Sequence, residues 1–311
     1  MQKFAQTGAI PRLYMENAAN AVDVAEAMLA GEIGTLGINP RGEGLLALSA
    51  IREHVPEMVV GVVGIRTDEE FARVLDLDAD FVSFSYAKAG WITDAKERGI
   101  ETIVTCRTLQ EAVSARDAGA DAVRLIFTWE KPLQEELKIY ERYMPAGFLV
   151  IGEMTDPEQI GLAISLPSVA AVETDWIRTH QREQVAAQCL ALHNAVMGFS
   201  FAHVGINCED LSETRTVTGR FGDLFSFPAT DNPRGNSIYA TSQIEVMKFM
   251  QLGTHGHIGV RTNSAERAAL WLEKKGVGLR HETEKFLGGR LSNIYLQEEI
   301  GGFAVHLLQR R

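Results

Sequence analysis

The sequence predicts an α/β chain in two parts: a (β/α)8 barrel over residues 1–197 and an α+β domain of two strand–helix–strand units over 198–311. Three observations predict it. Eight short β-branched runs alternate with helical patterns through the first part. Those runs are nearly all apolar rather than alternating, as expected of strands buried on both faces of a parallel sheet. The second part repeats itself: 202–207 reads A-H-V-G-I-N and 256–261 reads G-H-I-G-V-R, each followed later by a second matching strand.

The barrel strands are expected at 10–15, 33–39, 58–65, 81–85, 102–106, 122–127, 148–153 and 169–175. Between them lie amphipathic stretches such as 18–31 and 109–119, several ending in Gly, the usual helix stop. Residues 178–197 read as the last barrel helix. Eight such units in under 200 residues fit a closed barrel better than a doubly wound open sheet, and no G-x-G-x-x-G or P-loop favours the latter. In the second part, strands are expected at 202–207, 237–241, 244–249, 256–261, 292–298 and 303–309, with helices over 211–225 and 264–276. The run E-E-I-G-G at 298–302 reads as a hairpin turn.

A net charge of -11 argues against a nucleic-acid surface, since phosphate neutralisation needs clustered Lys and Arg. Three cysteines, Cys106, Cys189 and Cys208, form no C-x-x-C and no even framework, so a reducing cytoplasm is the expected compartment. Neither a signal peptide nor an apolar run of membrane-span length is expected.

In a (β/α)8 barrel the functional face lies at the C-terminal ends of the strands. The polar residues expected there include Asn39, Arg41, Arg66, Ser83, Ser85, Thr105, Arg107, Arg124, Glu153, Glu173 and Asp175. Arg124 stands apart because it interrupts a strand expected to be buried. A buried guanidinium requires an acidic partner, and Glu153 and Glu173 on the two following strands are the candidates.

This half resembles the 2-keto-3-deoxy-6-phosphogluconate / 4-hydroxy-2-oxoglutarate aldolase family over residues 9 to about 180. The resemblance rests on A-I-P-R-L at 9–13, A-E-A-M-L-A-G-E-I-G-T-L-G-I at 25–38, V-P-E-M-V-V-G at 55–61, A-G-A-D-A-V-R-L at 118–125 and L-P-S-V-A-A-V at 166–172. It implies the barrel fold, and it places the family's Schiff-base lysine at Arg124, where a guanidinium cannot serve as an amine nucleophile. The family's acid/base glutamate falls at Gly37 and its strand-three threonine at Gly64. Its phosphate-binding glycines fall at Gly152 and Glu153, and at Glu173 and Thr174. Only Arg41 survives from the strand-two motif. The expectation is a barrel without Schiff-base chemistry and without the family's phosphate cradle. Lys88, just past strand four, and Lys131, past strand six, could supply a relocated amine, though lysines past a strand end are usually solvated. Two readings then stand for the barrel: a new site in which Arg124 and Glu153 act on a substrate held by Arg41, Glu173 and Asp175, or a silent scaffold whose charges neutralise one another.

The second part is similar to the vicinal-oxygen-chelate superfamily, which includes the glyoxalases and extradiol dioxygenases and pairs two βαβββ modules around a metal. Mapped onto its pattern, the ligands are His203 in A-H-V-G-I, Glu245 in I-E-V, His257 in G-H-I-G-V and His306 in A-V-H-L-L. The last is usually a glutamate. A single strand histidine is more often a hydrogen-bonded core residue than a ligand, but four ligand-type residues at matching positions point to a divalent ion. Zinc, nickel, iron, cobalt and manganese all suit imidazole and carboxylate. His306 or Glu245 would serve as the base. His255, two residues before His257, is expected on the same face, and Asp210 is expected to cap the following helix.

The sequence thus predicts a cytoplasmic, metal-dependent lyase or isomerase acting on a small 2-oxo or hydroxy acid, and by resemblance a homo-oligomer. The alternatives are a non-catalytic metal-bearing sensor or binding protein, and a conventional aldolase.

Overall fold

The computed structural model describes residues 1–127, 131–177, 181–231 and 235–310. The chain divides into two compact units, Met1–Val196 and Met197–Arg311.

In the first unit, strands and helices alternate: β1 Ala9–Leu13, α1 Ala21–Ala30, β2 Thr35–Ile38, α2 Gly44–His54, β3 Val59–Ile65, α3 Asp68–Leu75, β4 Phe81–Phe84 and α4 Ala89–Glu97. They continue as β5 Glu101–Cys106, α5 Leu109–Asp117, β6 Ala122–Leu125, α6 Leu133–Glu141, β7 Leu149–Ile151, α7 Pro157–Ser165, β8 Val169–Thr174 and α8 Arg182–Met197. All eight expected strands form, each within two residues of its expected ends. The last helix begins at Arg182, and residues 178–180 of its expected span lie outside the described residues. Every neighbouring pair is parallel, and β1 closes the barrel on β8 with Ile10 opposite Glu173. Helices start where the sequence supplies caps: Thr67, Thr108 and Asp156 each accept a backbone N–H of the first turn, and Thr108 forms a full capping box with Glu111.

The period-two geometry of a strand sorts the barrel interior into layers. Ile10, Phe81, Ala122 and Ala171 pack inside the barrel near its N-terminal end, where the Phe4 ring meets Phe81 at a tilt, centroids 5.9 Å apart. Gly61 is required here, since a Cβ would stand 2.5 Å from the Phe81 ring. Two residues further along the same strands, on the same interior face, stand Arg12, Ser83, Arg124 and Glu173. The outward residues between them, such as Val82, Val123 and Val172, join the helices in the larger core.

The second unit contains β9 Ser200–Ile206, α9 Leu211–Phe225, β10 Thr230–Asp231, β11 Ser237–Thr241 and β12 Ile244–Met247. It then repeats with β13 Gly256–Thr262, α10 Ala265–Lys274, β14 Leu279–Leu287, β15 Arg290–Ile300 and β16 Phe303–Gln309. Asp210 caps α9 as expected, accepting the Glu213 amide. The eight strands form one mixed sheet in the order β10-β11-β12-β9-β13-β16-β15-β14. The order reads alike from both edges when the modules are exchanged. β9 and β13 meet antiparallel at the centre, and each pairs in parallel with the last strand of its own module. The sequence reading missed β10 and β14, the two edge strands. β10 has two residues, and β14 carries R-H-E-T-E-K, a polar run with no apolar face to reveal a strand.

Candidate metal centre and barrel mouth

The central antiparallel pair brings the two repeat histidines together by register. His257 lies opposite Gly205 and Gly259 opposite His203. Each glycine makes room for the other strand's imidazole. A Cβ on Gly205 would stand 2.0 Å from His257 Cε1, and one on Gly259 would stand 2.7 Å from His203 Cε1. The repeated motif H-x-G thus supplies both a ring and the gap that receives its counterpart.

The four expected ligand residues converge. His203 Nε2 lies 3.1 Å from His257 Nε2 and 3.3 Å from His306 Nε2. Glu245 Oε2 stands 3.3 Å from His257 Nε2 and 3.5 Å from His203 Nε2. His257 and His306 are buried, and His203 and Glu245 are partly buried.

The last strand of each module is held from the strand beside it. Ser237 donates to Glu245 Oε1 at 2.6 Å, and Asn293 meets His306 Nδ1 at 2.6 Å. Asn293 Nδ2 donates to the Thr283 carbonyl, which can only accept, so its Oδ1 faces the imidazole. His306 therefore carries its proton on Nδ1 and turns the Nε2 lone pair toward the other ligands. Two residues after Ser237 and Asn293 stand Tyr239 and Tyr295, in register with Glu245 and His306 respectively. Tyr239 hydrogen-bonds Glu245, whereas Tyr295 stacks on His306 with ring centroids 4.6 Å apart. The sequence reading missed these four residues. Their signal was the repeat itself, since S-I-Y at 237–239 aligns with N-I-Y at 293–295. Nδ1 of His257 is buried without a hydrogen-bond partner among the described residues, so packing across Gly205 orients that ring.

Burial, aided by the nearby His257 and His203, lowers the His306 imidazole to about 3, and burial with His257 lowers His203 as well. Burial raises Glu245, but hydrogen bonds from His257, Ser237 and Tyr239 outweigh it and hold the carboxyl at about 2. Near neutral pH the cluster is thus a carboxylate among imidazoles, two of which resist protonation. His255 is not among the converging rings and packs against Phe303.

The second polar centre is the C-terminal mouth of the barrel, a cavity of about 610 Å³. It contains all the polar residues expected at the strand ends, including Arg41, Arg124, Glu153, Glu173 and Asp175. Arg124 is buried and donates through Nε to Glu173 Oε1 at 2.7 Å, with Glu153 Oε1 3.7 Å from Nη2. Arg12, which the sequence reading overlooked, completes the network. It contacts Glu173 at 3.2 Å and makes a two-pronged pair with Asp175 at 2.9 and 2.5 Å. Its signal was the one that exposed Arg124, a charge two residues along a strand from a buried apolar position. Burial raises the Glu173 carboxyl, with Arg124 and Arg12 pulling the other way. Glu153 holds a left-handed backbone, φ 62°, directly after Gly152, whose hydrogen faces the Arg124 guanidinium; a Cβ there would stand 2.8 Å from Cζ. Gly37 faces Val63, and a Cβ on it would stand 2.7 Å from Cγ1, so a glutamate has no room at that position. Among the described residues no lysine lines the mouth. Lys88 pairs with Asp68 and lies over Trp91, and Lys131 lines a neighbouring groove.

No family model and no curated protein matches the chain. Solved structures do match the barrel. One is a 4-hydroxy-2-oxoglutarate/2-dehydro-3-deoxyphosphogluconate aldolase from TTHB1, 21% identical over 62% of this chain and 96% of that one, TM-score 0.52. Another is the 2-keto-3-deoxyphosphogluconate aldolase of Legionella pneumophila, with pyruvate captured as a covalent carbinolamine; it is 19% identical over 61% of this chain and 95% of that one, TM-score 0.53. A third is a designed protein cage made by fusing symmetric oligomeric domains, 18% identical over 60% of this chain and 71% of that one, TM-score 0.52. Identities this low show a shared fold. The first unit is a (β/α)8 barrel of the fold these structures share, the second a mixed-sheet unit, and among the described residues no helix is long and apolar enough to cross a membrane.

Proposed function

We propose that this chain is a metal-dependent lyase or isomerase acting on a small 2-oxo or hydroxy acid without a Schiff base, its metal held by His203, Glu245, His257 and His306. One observation carries the reading: three Nε2 atoms and a carboxylate oxygen, all able to ligate a metal once free of protons, converge within 3.1–3.5 Å of their neighbours. Ligands about 2.0–2.1 Å from one ion stand about 3 Å apart. The orientation of His306 by Asn293 supports it, because metal-bound imidazoles characteristically donate their other nitrogen to an oxygen. The paired βαβββ modules, with ligands on first and last strands, support assignment to the vicinal-oxygen-chelate type. Zinc, nickel, iron, cobalt and manganese all fit the donor set.

The bound ion would act as a Lewis acid on a chelating substrate oxygen. The chain's own residues do the rest. Glu245, held at about 2, remains a carboxylate with Oε1 occupied by Ser237 and Oε2 turned inward. His306, held by Asn293, keeps an unprotonated Nε2 on the same cluster, and either it or Glu245, when not ligating the ion, would serve as the base for a bound acid. In the barrel, Arg124 offers a permanent cation and Glu153 a half-exposed carboxylate at the cavity wall, while Glu173 and Asp175 hold Arg124 and Arg12 in position. The oligomeric domains of the designed cage support a homo-oligomer built through the barrel.

The test is elemental analysis of the wild type beside His257→Ala, followed by turnover assays on 2-oxo and hydroxy acids with the identified ion. About one metal per chain, lost in the variant, with metal-dependent turnover supports the reading. Metal without turnover identifies a binding protein, and no metal in either protein rejects the centre.

A further inference from the structure

The barrel mouth is uneven in charge. Five guanidinium groups against three carboxylates leave it two positive charges, in a chain whose net charge is -11. Arg12 and Arg124 are held by the carboxylates of β7 and β8. The side chains of Arg41, Arg66 and Arg107, which follow β2, β3 and β5, have no ion-pair or hydrogen-bond partner among the described residues. Their backbones are nonetheless anchored: Asn39 Oδ1, Glu70 Oε2 and Glu111 Oε2 accept the three amides at 3.0, 2.7 and 2.6 Å. Ser83, Ser85 and Thr105 add hydroxyls to this wall. One side of the cavity thus presents three anchored but uncommitted forks, and the other an acidic network already half neutralised.

We propose that the mouth is a non-covalent site for a small di- or tricarboxylate that carries a hydroxyl group. Guanidinium forks match carboxylates two bonds at a time, and three of them exceed what one carboxylate can use. The ligand's hydroxyl donates to Glu153, the half-exposed carboxylate whose only arginine contact is a long one, 3.7 Å to Arg124, where Glu173 and Asp175 are gripped at 2.7 and 2.5 Å. The acidic wall disfavours a phosphate reaching across the cavity, because like charges would face each other. A volume of about 610 Å³ lies in the range of small-molecule sites. Since Arg124 stands where no amine is available, the ligand is held by charge and hydrogen bonds alone. The inference rests on the barrel, so the metal reading can fail and leave it standing.

Calorimetric titration of the full chain at constant ionic strength tests it, with malate, citrate, succinate, acetate and inorganic phosphate as probes. Malate and citrate are expected to bind once per chain, at least tenfold tighter than acetate, with malate ahead of succinate. Arg66→Gln and Arg107→Gln, both exposed and outside the core, are each expected to weaken binding at least tenfold with unchanged circular dichroism. Citrate also chelates metal ions, so His257→Ala is the control and is expected to bind unchanged. The proposal is overturned if malate and citrate give no heat, if phosphate binds as tightly as they do, if malate does not exceed succinate, or if both arginine variants bind like wild type. Loss of binding in His257→Ala overturns it too, by moving the ligand to the imidazoles.

Discussion

In the barrel mouth each buried charge meets an opposite one: Glu173 is gripped by Arg124 and Arg12, and Arg12 by Asp175. In the second unit the polar side chains that meet are three imidazoles and a carboxylate, at hydrogen-bond distances from one another. The first arrangement balances its charges within itself, whereas the second gathers ligand-type groups with no lysine or arginine paired to the carboxylate among the described residues. Both are polar clusters among apolar strands, and residue type alone would call both sites. The difference lies in the sign of what faces what, so each should respond differently to loss of one member.

The largest effect is expected in the barrel. Glu173→Ala leaves the Arg124 guanidinium buried with only a distant carboxylate, which costs about 3–5 kcal/mol. Urea titration should show the barrel transition fall accordingly, while metal content stays unchanged. The double variant Arg124→Met, Glu173→Leu should recover most of the loss, because well-packed apolar side chains replace a buried ion pair at little cost. A loss below about 1 kcal/mol in the single variant would mean that the network is solvated and the contrast between the two centres is false.

In the second unit, Asn293→Ala should weaken metal binding by about tenfold to a hundredfold with the fold retained. Competition against a chromophoric chelator measures it. Unchanged affinity would show that His306 needs no partner to choose its tautomer.

The strands were legible because apolar β-branched runs announce themselves, and His203, His257, Glu245 and His306 were legible because the repeat placed them at matching positions. Asn293 and Ser237 were not. Both look like ordinary strand residues, and their role follows only from the cross-strand register that sets them beside His306 and Glu245. Arg12 escaped for a related reason. A charge near a strand end reads as rim until closure of β1 on β8 places it over Glu173. β14 stayed hidden because an edge strand with two polar faces has no hydrophobic period.

A pH experiment sharpens the contrast further. The fold favours neutral His306, lowered by burial and its histidine neighbours to about 3 from an ordinary 6.5. Unfolding therefore takes up a proton below the ordinary value. The stability tied to this group is present above about 6.5 and is lost as the pH falls toward 3. Metal-free protein should lose about 2 kcal/mol between pH 7.5 and pH 5 from this group alone. His306→Asn should show a shallower decline in urea midpoints over the same range, and an equal decline in both proteins would exclude His306 as its source.

The smallest effects should come from the two tyrosines, and they test the internal symmetry of the second unit. Tyr239 and Tyr295 occupy matching places but act through different parts of the side chain. Tyr239 donates its hydroxyl to Glu245, so Tyr239→Phe removes one hydrogen bond to a charged group, worth about 1.5–3 kcal/mol before the gain from leaving the hydroxyl out of a half-buried site. Metal affinity should fall severalfold as Glu245 loses one of its two hydroxyl anchors. Tyr295 acts through its ring, stacked on His306 at an interplanar angle of 11°, and burial pushes its hydroxyl up to about 12. Tyr295→Phe keeps the ring and should change stability by less than about 0.5 kcal/mol and leave metal affinity alone. Equal responses in the two variants would mean that the modules hold their last-strand residues in the same way, and that the difference between Glu245 in one module and His306 in the other leaves the support unchanged.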